Sequence, residues 1–131
     1  MDGRKSIEAL RGDKAKVSSV LRTFFRIMDR WKLKTEEARI LLGSPSRSHF
    51  YNMKGLKVSS LSRDTVERIS YIFGIQKALR ILFPDRANAD QWIHLPNSHP
   101  LFGGAPAVDK MLAGNVGDLA DVRRYLDAER G

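Results

Sequence analysis

The sequence contains no cysteine, so it can form neither a disulfide bond nor a thiolate metal site, and it has no thiol nucleophile. No apolar run approaches the roughly 20 residues that a membrane-spanning helix needs, and the first residues lack the apolar segment of a signal peptide. No segment alternates apolar and polar residues as a strand does. With 42% apolar residues to form a core, we expect a soluble, cytoplasmic, all-α protein that binds no membrane.

Acidic residues are scarce in the first two thirds of the chain. Residues 1–86 hold 19 Lys and Arg against 9 Asp and Glu, a balance of +10, whereas residues 87–131 hold 4 against 6, a balance of −2. The basic part suits nucleic acid better than a membrane surface, because its cations do not line one face of a strongly apolar helix. We therefore predict a flexible basic arm (1–15), a DNA-binding domain (16–86) and a second binding domain (87–131).

The segment 33–54 has the pattern of two short helices joined by a turn. Thr35 suits the N-cap of the first helix, and Gly43 suits the position just after its end. Either Ser44 or Ser46 caps the second helix. This pattern is typical of a helix-turn-helix, although an ordinary pair of antiparallel helices with a solvated outer face produces it as well.

The side chains of the second helix favour DNA binding. Phe50 and Met53 are spaced to face inward, which leaves the polar residues facing out. Arg, Asn and Ser side chains read base edges, and Lys side chains reach phosphates. The predicted DNA contacts are Ser46, Arg47, Ser48, His49, Tyr51, Asn52, Lys54 and Lys57.

The spacing of apolar residues predicts the remaining helices. Residues 17–31 place Val17, Val20, Leu21, Phe24, Met28 and Trp31 on one face. A helix capped by Ser62 follows, and Gly74 is expected to break or bend it before a second helix over 75–83. Trp31 and Phe73 are predicted core anchors. Further helices are expected from Asn88 or Ala89, from Pro106 to Gly114, and over 117–129 with Leu119, Val122 and Leu126 inward.

The sequence offers little for catalysis. His94 and His99 with Asp90 are the only arrangement that resembles a metal site, and their Pro-rich spacing matches no metalloenzyme pattern. No serine lies in a nucleophile elbow, and Gly103 and Gly104 suit a tight turn rather than a phosphate loop. We expect no enzymatic activity, no metal and no cofactor. An enzyme that uses the two histidines is the least supported alternative.

Three segments of the chain resemble the Xre/MbcA/ParS antitoxins, the partners of RES-domain toxins in bacterial toxin–antitoxin pairs. They are LSRDTVERISYIFGIQKALRILFP, NADQWIHLPNSHPLFGGAPAVDKMLAG and DVRRYLDAERG, and the resemblance covers residues 31–131. It implies an N-terminal Xre-like helix-turn-helix bundle and a small helical C-terminal toxin-binding domain. It also implies an antitoxin that dimerises, binds its own operon promoter as operator DNA, and blocks a toxin that consumes NAD. The chain departs from the family pattern at Arg39, at Met53 and in a turn lengthened by Pro45.

The resemblance further implies that the C-terminal end obstructs the active site of the toxin, with arginines reaching toward a pocket for an anionic dinucleotide. The residues expected to bind the toxin are Trp92, Phe102, Leu119, Val122, Arg123, Arg124, Tyr125, Leu126, Asp127 and Arg130. NAD would be used by the toxin and not by this chain. The alternative is a stand-alone helix-turn-helix transcriptional regulator whose C-terminal domain only dimerises.

Overall fold

The computed structural model describes residues 13–131, and helices account for its regular structure. This range contains seven α-helices, one 3-10 turn and no strand, which confirms the all-α prediction. A single antiparallel bridge joins Pro96 and Pro106. The helices are α1 (Lys14–Arg30), α2 (Thr35–Leu41), α3 (Arg47–Lys54), α4 (Arg63–Leu82), α5 (Arg86–Gln91), α6 (Ala107–Met111) and α7 (Val116–Arg130), and the 3-10 turn is Trp92–His94.

The chain packs as two compact units, one that ends at Ser70 and one that runs from Tyr71 to Gly131. Most of the predicted flexible arm, residues 1–12, lies outside the described residues. Within residues 13–131, no helix combines the length and the hydropathy that crossing a bilayer requires.

Helix α1 begins earlier than predicted. The Asp13 carboxylate accepts a hydrogen bond from the Lys16 N–H (3.1 Å), so the helix starts at Lys14 and takes in the last residues of the predicted arm. Its buried side chains include Ile27, which the prediction omitted, whereas Val20 is only partly buried. The other buried side chains of the helix are Val17, Leu21, Phe24 and Met28, and Trp31 beyond its end is fully buried.

Helix α4 runs through Gly74 without a break, so the two separate helices predicted on either side of this residue are wrong. The helix begins after Ser62, whose hydroxyl accepts from the Thr65 N–H (3.1 Å) as predicted. A Cβ added at Gly74 would lie 2.6 Å from the Cζ of Arg123. Glycine here provides space for a neighbouring side chain, at a cost of about 1 kcal/mol relative to alanine within a helix.

Phe73 is only partly buried, so its prediction as a core anchor is also wrong. The fully buried side chains at this level of α4 are those of its neighbours Ile72 and Ile75. A helix turns by about 100° per residue, and a stripe that contains residues 72 and 75 leaves residue 73 at its edge.

The helices of the second unit begin close to their predicted positions. Helix α5 starts at Arg86 instead of Asn88, because the Asp85 carboxylate accepts from the Asn88 N–H (3.2 Å) and caps it there. Trp92 and Ile93 lie in the 3-10 turn that follows. Pro106 is the N-cap of α6 instead of its first residue. Helix α7 covers the predicted range with one more residue at each end.

Candidate functional site

Helix α2 begins with a hydrogen bond to the backbone of Lys34. The Lys34 N–H donates to the Glu37 carboxylate (2.7 Å), which makes Lys34 the N-cap and Thr35 the first helical residue. Thr35 is therefore not the cap that the sequence predicted. The Glu37 carboxylate, at the third helical position, satisfies the N–H of the cap residue, which is one of the unpaired donors at the start of a helix.

The turn between α2 and α3 is a Schellman motif followed by a serine cap. The Gly43 N–H donates to the Ile40 carbonyl (2.9 Å) and the Ser44 N–H donates to the Arg39 carbonyl (3.0 Å), while Gly43 has φ +95°. This confirms the predicted role of Gly43. Of the two possible caps for α3, the structure has Ser46, whose hydroxyl accepts from the His49 N–H (3.1 Å).

Helix α3 has one buried face and one exposed polar face. Phe50 and Met53 are buried as predicted, and the Phe50 ring packs edge-on against Phe25 with centroids 5.7 Å apart. Tyr51 is 58% exposed. All eight residues predicted to contact DNA are exposed: Ser46, Arg47, Ser48, His49, Tyr51, Asn52, Lys54 and Lys57. The fold thus exposes all of these polar and cationic side chains on α3 or directly beside it in the first unit.

A basic groove lies beside the C-terminal end of α3. Its volume is about 340 Å³, and it is lined by Arg22, Phe25, Arg26, Asp29, Lys54 and Leu56. Arg22 and Arg26 were not predicted as site residues. Their spacing of four residues put both on one side of α1, and only the packing of α1 on α3 brings Lys54 to them.

Arg39 connects α2 to the turn and was not predicted as a site residue. Its Nε and Nη2 donate to the two carboxylate oxygens of Glu36 (3.1 and 2.6 Å), and its Nη1 donates to the Pro45 carbonyl (2.6 Å). Arg47 Nη2 lies 3.9 Å from Glu36 Oε1. The hydrogen bond from Arg39, followed by the positive charges of both arginines, lowers the pKa of Glu36, and the same bond raises the pKa of Arg39.

An aromatic cluster forms in the second unit around Tyr125. The ring of Tyr125 lies 4.8 Å from His99, 5.2 Å from Phe102 and 6.1 Å from Trp92, measured between ring centroids. The ring of Trp92 also packs edge-on against Phe102 (6.0 Å). Three of these residues were predicted to bind the toxin. His99 was not, because a histidine in a Pro-rich loop has no periodic pattern that reveals its neighbours.

The loop that carries His99 and Phe102 is closed by its own backbone. The Gly104 N–H donates to the Asn97 carbonyl (2.8 Å), and Gly103 and Gly104 both have positive φ, as the predicted tight turn requires. The His99 N–H donates to the Asn97 side-chain oxygen (2.9 Å), and His99 Nδ1 accepts from the Leu101 N–H (3.1 Å). These bonds hold the imidazole against the Tyr125 ring.

His94, His99 and Asp90 do not form the metal site considered from the sequence. Within residues 13–131, no group of three or more His, Asp or Glu side chains is arranged to hold a metal ion. His99 instead belongs to the aromatic cluster, and its Nδ1 is already an acceptor for a backbone N–H.

The apolar residues of α7 form the core of the second unit. Leu119, Val122 and Leu126 are 0%, 0% and 1% exposed. Side chains so deeply buried cannot contact a partner directly, so their prediction as toxin contacts needs correction. Phe102 is also buried and takes part through the aromatic cluster. These four residues therefore lie beneath the exposed residues of the second unit and hold them in position, instead of being exposed themselves.

The charged residues of α7 lie on its outer side in a chain of ion pairs. Arg123 Nε is 3.6 Å from Asp127, and Arg130 Nη1 is 3.4 Å from the same carboxylate. Arg124 Nη1 is 3.3 Å from Asp121. Arg124, Asp127 and Arg130 are exposed, whereas Arg123 and Tyr125 are partly buried. A surface pair of this kind contributes little to stability, which leaves these cations able to exchange partners.

Lys110 ties α6 to the start of α7. Its ammonium group lies 3.0 Å from the Asp118 carboxylate and 3.3 Å from Asp121. The hydrogen bond from Lys110 lowers the pKa of Asp118, and the bond to Asp118 raises the pKa of Lys110. Asp121 also pairs with Arg124, so the network extends from the partly buried Lys110 to the exposed Arg124.

Comparison with known proteins identifies the second unit. Residues 78–131 match the family model of the antitoxin Xre/MbcA/ParS C-terminal toxin-binding domain. Over 119 residues the chain is also 51% identical to "Uncharacterized protein y4oB" of Sinorhizobium fredii, with 91% of this chain and 90% of that protein covered. The second unit therefore carries a toxin-binding domain of the Xre/MbcA/ParS antitoxin type.

A domain of this antitoxin family supports a role for the chain in a toxin–antitoxin pair, with a toxin as its partner. The family is not a class of enzymes. The matched segment contains the aromatic cluster, the Lys110 network and all of α7. The surfaces built from these residues are therefore the candidates for toxin binding.

Proposed function

We propose that this antitoxin neutralises a RES-domain, NAD-consuming toxin through its second unit and represses its own operon through the first. The observation that carries the proposal is the match of residues 78–131 to a toxin-binding domain, because the exposed residues of α7 and the aromatic cluster both fall inside it. This match begins at residue 78, before the predicted start of the toxin-binding domain at residue 87.

The toxin contacts in this proposal come from the outer side of α7. Arg124, Asp127 and Arg130 are exposed, and Tyr125 presents part of its ring beside them. Arginine and tyrosine are the residue types that most often carry interface energy. The arginines would enter a toxin pocket that binds an anionic dinucleotide, so the antitoxin would act by occlusion. Trp92, Phe102 and the buried leucines and valine of α7 would hold this surface in shape.

The DNA contacts would come from α3. Arg47 and Asn52 are exposed and have the donors and acceptors that read guanine and adenine in the major groove. Lys54 and Lys57 are placed at the end of the helix, where they would reach phosphates. A homodimer would present two such helices to the two halves of a palindromic operator.

Co-purification tests the toxin half of the proposal. The affinity-tagged chain, as the wild type or as Arg124→Glu, is co-expressed with the protein that the neighbouring gene encodes. We expect a stable complex with the wild type and a weaker one with Arg124→Glu, because a carboxylate would face a pocket for phosphates. Absence of any complex would favour the alternative, a stand-alone regulator whose second unit only dimerises.

A further inference from the structure

Glu36 lies between two arginines that compete for it. Arg39 occupies both of its carboxylate oxygens at 3.1 and 2.6 Å, while Arg47 approaches one of them only to 3.9 Å. Arg39 is largely covered, with 19% of its side chain exposed, and Arg47 is 76% exposed. The covered arginine holds the carboxylate tightly, and the exposed one on the candidate DNA-reading helix holds it loosely.

We propose that Arg39 is a positioning residue for DNA binding, which occupies the Glu36 carboxylate and so leaves Arg47 available to DNA. This inference rests on the proposed DNA-binding function of α3. It assigns to Arg39 a role in operator affinity and specificity, although Arg39 itself need not touch the DNA.

The chemistry of the arginine fork explains why the carboxylate matters. A guanidinium group that reads guanine uses two parallel N–H donors, which are the same donors that a carboxylate binds most strongly. An Arg47 paired with Glu36 would have to give up that pair before it could reach a base. With both Glu36 oxygens bonded to Arg39, the competing acceptor is already satisfied.

Glu36 is the carboxylate on which this competition depends. Between Asp29 and Asp64 the sequence has only two acidic residues, Glu36 and Glu37. Glu37 accepts from the backbone N–H of Lys34 at the start of α2. Removal of Arg39 would therefore free one carboxylate, Glu36, within 3.9 Å of the exposed arginine of α3.

Arg39 also fixes the place where α3 starts. Its Nη1 donates to the Pro45 carbonyl (2.6 Å), and its own carbonyl accepts from the Ser44 N–H (3.0 Å). The residue after Pro45 is Ser46, the cap of α3. Arg39 is thus hydrogen-bonded to Ser44 and Pro45, the two residues of the turn that precede the cap of α3. The orientation of α3 therefore depends on the same residue that binds Glu36.

A double-mutant cycle measured by fluorescence anisotropy tests the proposal. The probes are a labelled duplex from the region upstream of its own gene and a scrambled duplex of equal length, at one salt concentration. Arg39→Met should weaken binding to the upstream duplex about tenfold, the size of one lost bidentate base contact. The same variant should weaken binding to the scrambled duplex by a smaller factor. Adding Glu36→Gln to Arg39→Met should restore most of the loss, because the amide no longer attracts Arg47.

Arg39→Lys is the matched variant that keeps the charge. A lysine cannot make the fork contacts with Glu36 and the bond to Pro45 together, so it should lose affinity in the same direction and be restored by Glu36→Gln. If Arg39→Met is unfolded at the temperature of the assay, the proposal is tested with Arg39→Lys alone. An arginine that merely added positive charge near DNA would be replaced by lysine without loss.

The outcomes separate the two proposals. A wild-type protein that does not prefer the upstream duplex would overturn the DNA-binding function and the role of Arg39 with it. A wild-type preference that Arg39→Met and Arg39→Lys leave unchanged would overturn the role of Arg39 alone. A loss in a folded Arg39 variant that Glu36→Gln does not restore would overturn the competition for Arg47.

Discussion

The ring of Tyr125 packs against the ring of His99, with centroids 4.8 Å apart and ring planes inclined by 60°. Tyr125 is on α7, whereas His99 belongs to the loop that follows the 3-10 turn. The contact therefore holds that loop against the helix that carries the exposed arginines. Because the Tyr125 ring packs against this loop and the adjacent Leu126 is buried, a truncation that removes both residues would disturb the unit itself.

The first prediction concerns the core of the first unit. Trp31 is fully buried, so Trp31→Ala should lower the free energy of unfolding by about 3–5 kcal/mol. Phe73 in the second unit is only partly buried, so Phe73→Ala should cost clearly less. Urea denaturation followed by circular dichroism measures both. Equal losses in the two variants would contradict the burial seen in the structure.

The second prediction concerns the contact between Gly74 and Arg123. Alanine is favoured over glycine in a helix by about 1 kcal/mol, but at Gly74 the new methyl group would meet the Arg123 side chain. Gly74→Ala should therefore give less than the usual gain in stability, and the gain should appear in the Arg123→Ala background. A thermal-melt double-mutant cycle measures this coupling.

Gly117 is the control for this cycle. It lies in the first turn of α7, and a Cβ added there would meet nothing within 4 Å. The effect of Gly117→Ala should be the same with and without Arg123. An effect of Gly74→Ala that is equally independent of Arg123 would show that the glycine does not serve to make space for that side chain.

The third prediction concerns the Lys110 and Asp118 pair. The pKa of Asp118 lies below its ordinary 3.8, so the bond stabilises the fold above that pH and is lost as the pH falls through the lowered value. The pKa of Lys110 lies above its ordinary 10.5, so its contribution is present below that pH and is lost as the pH rises through the raised value.

Lys110→Met should therefore destabilise the protein most in the range between these two limits. The difference in free energy of unfolding between the wild type and the variant should shrink below pH 3.8 and above pH 10.5. Urea titrations across this range measure it. A difference that does not change with pH would mean that the lysine stabilises the unit by packing and not by its charge.

Much of the helical pattern could be predicted from the sequence, because apolar spacing and caps are local signals. Gly43 at the end of α2 and the inward face of α7 are examples. The role of Gly74 could not be predicted, since the residue that needs the space, Arg123, is 49 positions away in the chain. His99 was missed for the same reason. Arg39 was missed although Glu36 lies three residues before it on the same helix, a spacing at which side chains meet.

The prediction of toxin contacts on α7 failed where it ignored the two sides of the helix. Leu119, Val122 and Leu126 were included because they belong to the segment that resembles the family, yet their spacing already marked them as the inward stripe. The exposed residues of the same segment stay as proposed contacts.

The fourth prediction concerns operator binding. Arg47→Ala and Asn52→Ala should each cost about 1–3 kcal/mol on the upstream duplex and little on a scrambled one, because they would read bases. Lys57→Ala should weaken binding to both duplexes by the same factor. The logarithm of the binding constant should fall with the logarithm of the salt concentration, with a slope near −0.9 per phosphate contact. The binding constants are measured by anisotropy titration. If neither Arg47→Ala nor Asn52→Ala differs from the wild type in its affinity for the upstream duplex, α3 has only a structural role.

The central claim is our proposal that the exposed end of α7 occludes the toxin. It is tested most directly by the growth rescue of cells that express the product of the neighbouring gene as the toxin. Deletion of residues 127–131 removes only exposed residues and leaves Tyr125 and Leu126 in place. We expect the wild type to restore growth and the truncated protein to fail, while the truncated protein still shifts the upstream duplex in a gel. A truncated protein that restores growth as well as the wild type would contradict occlusion by the chain end.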